Sequence, residues 1–98
     1  MFTNPRYLTR GISEGLQPEL QLLLWTMIDH MEGEKDYLQV FDLSPASDDG
    51  IMIQHIRHHQ EQPEFSEEID VLLVEPIEAK IFVIDDGDHS TMLFAEEY

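Results

Sequence analysis

Two short stretches of the chain crowd together side chains capable of chemistry. Asp85, Asp86, Asp88 and His89 surround Gly87 in a run of five residues. Carboxylate oxygens at that density suit a divalent cation, or acid–base work shared with the imidazole. The spacing is not that of an EF-hand, which needs D-x-D-x-D-G and a later glutamate. Asp and Gly are also what a tight hairpin loop requires, because both tolerate positive φ. The turn is the simpler reading of Asp85–His89, and the four residues are weak metal candidates beside it.

The second stretch is QHIRHHQ, with His55, His58 and His59. On a strand, His55 and His59 share a face about 13 Å apart, too far for one zinc ion. His58 points to the opposite side. The expectation is a solvated strand end whose histidines gain charge below about pH 6. No GxxxxGK[ST], GxGxxG, GxSxG or HExxH occurs, so no catalytic or cofactor-binding residue is assigned, and no cofactor is expected. Arg6 and Arg10 lie four apart in an N-terminal stretch that alternates like a strand, and are expected to share one face. Surface ion pairs to the acidic body explain them better than an anion site.

Charge narrows the partners. The 98 residues hold 21 Asp and Glu against 5 Lys and Arg, a formal net charge of −16. Such a surface repels nucleic acid and anionic membrane, and its natural complement is a basic protein. Acidity for solubility alone is the plainer alternative. There is no cysteine, so disulfides and thiol chemistry are excluded. The longest apolar runs, Leu22–Trp25 and Ile81–Ile84, are too short to cross a membrane, and a signal-peptide core is lacking, which points to the cytoplasm.

The elements that position these residues centre on Pro18–Glu32. Leu20, Leu23, Leu24, Met27, Ile28 and Met31 recur with helical spacing. Pro18 suits the first turn, and Gly33 is placed to end the helix. The rest reads as strands: Asp36–Leu43, a turn Ser44–Gly50, Ile51–Arg57, a polar stretch His58–Ser66, Glu68–Val74, Ala79–Ile84 and Thr91–Ala95. The expected fold over residues 1–98 is a single α+β domain, one amphipathic helix on a mainly antiparallel sheet of about five or six strands. Ile81–Ile84 is apolar on both faces, while one helix covers only one. Either the sheet curls into a partial barrel or a second copy covers it. Leu22 and Trp25 lie off the buried stripe, as an interface pair or beneath the N-terminal segment.

The segments RYLTRGI, LLWTMID, DYLQVFDLS and KIFVIDDGDHSTMLFAEEY resemble the small acidic proteins of Gram-positive bacteria grouped as domain of unknown function 960. The resemblance implies a cytoplasmic bacterial protein of one domain and transfers no catalytic residue. The function expected is a non-enzymatic interaction or regulatory module, a homodimer able to meet a basic protein partner. Two alternatives stand beside it: a small metal-dependent or acid–base enzyme using the Asp85–His89 loop, and an acidic mimic of nucleic acid.

Overall fold

The chain reverses at Asp49-Gly50, and that two-residue turn sets the register of the longest hairpin. Both residues have positive φ, 50° and 80°, the geometry of a type I′ turn, whose twist matches that of the flanking strands. In a computed structural model that describes residues 1–73 and 75–98, β2 (Leu38–Asp48) and β3 (Ile51–Gln60) pair up to Asp48 opposite Ile51. The expected turn at Ser44–Gly50 is therefore too long. Residues 44–48 remain on β2, because Asp-Gly alone suffices to reverse the chain.

Around this hairpin lie β1 (Arg6–Leu8), α1 (Arg10–Gly15), α2 (Pro18–Asp29), β4 (Phe65–Val71), β5 (Ala79–Asp85) and β6 (Ser90–Phe94). The sheet order is β1-β6-β5-β2-β3-β4, antiparallel except for β1 beside β6. The fold is α+β, as its sequence implies. The sheet is not closed into a barrel: β1 and β4 are its two edges. The polar stretch His58–Ser66 is largely strand, shared between β3 and β4. β4 begins earlier than expected and ends at Val71, while Val74 lies outside the described residues.

Both helices cover one face. From α2, Leu20, Leu24, Met27 and Ile28 pack with Phe41, Leu43, Ile56, Ile81, Val83 and Met92 in one buried cluster. Ile12 of α1, Leu16 and Phe2 complete it. α2 ends at Asp29 with His30 as its C-cap, so Gly33 does not stop it; its positive φ of 83° turns the chain three residues beyond the cap. Met31 is buried outside the helix.

α1 corrects the reading of the N-terminus. Thr9 caps it, its Oγ1 accepting the Ile12 N–H at 3.2 Å. Arg10 is therefore helical and does not share a strand face with Arg6. Arg6 instead forks the carboxylate of Asp29, and Arg10 pairs with Glu14 at 3.1 Å in its own helix. The reading of ion pairs to the acidic body holds for Arg6, whereas the pair of Arg10 stays within α1.

Candidate interaction surface

The Asp85–His89 loop turns two of its three carboxylates, Asp85 and Asp86, onto backbone. Asp85 is 7% exposed, and accepts the N–H groups of Phe2 at 2.7 Å and Gly87 at 2.8 Å and the Asn4 amide at 3.0 Å. Burial raises its pKa, but these donors outweigh burial and hold it below the ordinary carboxylate value. Asp86 accepts the N–H groups of Asp88 at 3.1 Å and His89 at 3.0 Å, and meets His89 Nε2 at 3.1 Å. Gly87 supplies a positive φ of 99°. These are the contacts of a self-bracing turn. Among the described residues no three His, Cys, Asp or Glu side chains converge as metal ligands.

The histidines separate as the strand period dictates, with one correction. His55 and His59 share the face away from the helices. His58 is on the other side and is fully buried, not solvated. It stacks on Phe41 at 4.3 Å between centroids and meets Phe65 edge-on at 5.4 Å. Its Nε2–H donates to Gln39 Oε1 at 2.7 Å, while Nδ1 has no partner. Desolvation, aided by the nearby His59, lowers its pKa to about 4. Gln39 and Gln60 continue this buried network, Gln39 Nε2 donating to Gln60 Oε1 at 2.6 Å. Gln60 then holds the loop backbones, taking the Asp36 N–H at 2.9 Å and donating to the carbonyls of Glu34 at 3.1 Å and Pro63 at 2.8 Å.

The outer sheet face has two halves. Toward β3 and β4 it is ionic. Asp42 gathers His59 at 2.9 Å, Arg57 at 3.4 Å and Lys80 at 3.7 Å, while His55 bridges Asp70 at 2.6 Å and Glu68 at 2.9 Å. The hydrogen bonds to Asp70 and Glu68 raise the His55 pKa. Toward β5 and β6 the face is apolar. Val40, Phe82 and Leu93 run across three strands in register, with Leu38 and Ile84 beside them. Tyr98, 83% exposed, meets Phe82 edge-on at 5.8 Å. Neither α1 nor α2 lies over this half, since both pack on the opposite face, while a short 3-10 turn, Ala95–Glu97, runs beside β5 and leads to Tyr98.

On α2 the expected interface pair divides. Trp25 is 9% exposed and joins the core, with the Arg6 guanidinium 4.6 Å above its ring. The N-terminal segment therefore covers it, and Leu22 alone stays exposed, at 68%. Arg6 links two layers: it caps Trp25 and, by its hydrogen bonds, lowers the pKa of Asp29.

These features define a class: an open-faced α+β domain whose polar clusters serve mainly to brace turns and strands. The chain belongs to the family described as Staphylococcal protein of unknown function (DUF960), which it matches over residues 5–97. It is similar to a solved structure, described as "Crystal structure of the protein of unknown function from Enterococcus faecalis", at 25% identity and a TM-score of 0.75. That likeness covers 97% of this chain and 91% of the other. No curated protein matches. No helix among the described residues is long and apolar enough to cross a membrane.

Proposed function

We infer that the protein is a non-enzymatic interaction module of the cytoplasm, self-associating through its outer sheet face and displaying its acidic surface to a basic protein partner. The observation that carries this reading is the apolar half of that face, where Val40, Phe82 and Ile84 stay partly exposed around the buried Leu93 and neither α1 nor α2 covers them. Four of the five Lys and Arg side chains are held in ion pairs. The excess carboxylates thus remain for a cationic partner. The loop at Asp85–His89 offers less support for an enzyme, because the carboxylates of Asp85 and Asp86 are engaged by backbone donors.

Phe82→Glu tests the face directly. It places a carboxylate in the apolar half without touching the helix-side core. The expected outcome is a wild-type dimer and a monomeric variant of unchanged far-UV spectrum, read by light scattering at equal concentration. A variant that remains dimeric moves the interface off this face, with Leu22 as the next site to probe.

A further inference from the structure

We propose that the free edge of β4 and the pocket at its end take an extended basic segment of a partner protein, which adds a strand beside β4 and seats a Lys or Arg side chain in the pocket. This rests on the interaction-module reading but not on the dimer. β4 ends the sheet and pairs among the described residues only with β3, so its outer edge offers unpaired backbone groups. Strand addition to such an edge is a recurrent way to bind peptides, with affinity from main-chain bonds and specificity from side-chain pockets.

The pocket supplies the specificity. It encloses about 340 Å³ between the tip of the β2–β3 hairpin and the end of β4, and is lined by Asp48, Ile51, Ile53, Asp70, Val71 and Leu72. Its wall is aliphatic and unusually open to water, with Ile51 59% and Leu72 75% exposed. Two carboxylates, Asp48 and Asp70, complete the lining. An apolar wall with acidic groups suits the methylene stem and charged head of Lys or Arg, which separate in this manner at surfaces. Asp70 already meets His55 at 2.6 Å, but a neutral apolar side chain would leave Asp48 unanswered, and an acidic one would be repelled.

The edge excludes the simplest competitor, a second copy of this chain. β4 reads FSEEIDV. Two such edges side by side would set Glu67, Glu68 and Asp70 against the same three acids, and like charges across strands are destabilising. A partner strand alternating basic and apolar residues reverses that sign. Its basic side chains meet Glu68 and Asp70 on one face, and its apolar ones meet Ile69 and Val71 on the other. Among the described residues the connection after β4 does not pair with this edge: Gln54, on the helix side of β3, takes the Ile77 N–H at 2.8 Å and donates to its carbonyl at 3.0 Å.

A fluorescein-labelled Lys-Val-Lys-Val-Lys-Val-Lys peptide tests this by anisotropy, with amide-shift mapping on the full chain. The expected result is saturable binding at low salt, with shifts concentrated on β4 and the pocket residues. Asp48→Asn with Asp70→Asn should weaken it about tenfold. Glu19→Gln with Glu32→Gln, an equal charge change elsewhere, should weaken it less than about twofold. Equal losses from the two pairs, shifts scattered over the acidic surface, or no binding would overturn the site. Running the titration on wild type and Phe82→Glu separates the two readings: lost peptide binding with an intact dimer removes only the β4 site.

Discussion

Leu24→Ala is expected to lower stability by about 2–5 kcal/mol. Leu24 is fully buried at the middle of α2 and belongs to the cluster that joins both helices to β2, β3, β5 and β6. Truncation removes burial and leaves a cavity that the surrounding strands cannot close, since their backbones are fixed by register. Leu22, two residues earlier, is the internal control: at 68% exposure its replacement by alanine should change stability by no more than about half a kcal/mol. Urea denaturation of both variants settles the comparison. Equal losses would mean that α2 does not present this stripe to the sheet.

The second large effect is a loss of stability on acidification, centred on His58. Its folded pKa is about 4, against 6.5 for the free side chain. Between those values the unfolded chain binds the proton and the folded chain does not, so stability falls as pH drops through this window. A shift of that size corresponds to about 3 kcal/mol, complete near pH 4. Structure supplies the cause: a protonated ring would add charge, and an Nδ1–H without acceptor, between Phe41 and Phe65. His55 works with the opposite sign. Its pKa is raised, so its contribution is present below 6.5 and fades as pH rises through the folded value. Asp29 and Asp85, both lowered, matter only below the ordinary carboxylate range, where their stabilisation is lost. His58→Phe keeps a ring in the stack and removes the titration. The difference in stability between wild type and His58→Phe should therefore change by about 3 kcal/mol from pH 7 to pH 4. A constant difference would mean that His58 reaches solvent.

The helix α2 was legible because apolar spacing alone determines which stripe it buries. β3 was not. Its isoleucines, Ile51 and Ile53, suggest a buried face, yet the face toward the helices carries Gln54, Ile56, His58 and Gln60. Polar residues sit inside because the irregular segments packed there need partners for their backbone groups, and Gln54 and Gln60 provide them. Nothing local in the sequence reveals such long-range bonds. The short α1, RGISEG, has two glycines and weak propensity; it owes its helix to the Thr9 cap and the burial of Ile12. Trp25 lay off the predicted stripe because a distant segment, not the sheet, covers it. The outer face was half legible, since Phe82 and Ile84 alternate with Ile81 and Val83. The pocket beside β4 was invisible, because it joins the hairpin tip to a strand end some twenty residues away (Ile51 to Val71).

Self-association through the outer face is tested most directly by sedimentation equilibrium across a salt series. Sixteen net negative charges per chain oppose pairing. Salt screens them over about 8 Å at physiological strength. Burying about 1,000 Å² of mostly apolar surface offers roughly 25 kcal/mol gross, before the large costs of association. Apolar burial should prevail, giving a symmetric dimer whose dissociation constant falls as sodium chloride rises from 50 mM to 500 mM. A monomer at every salt concentration and at high protein concentration would contradict it.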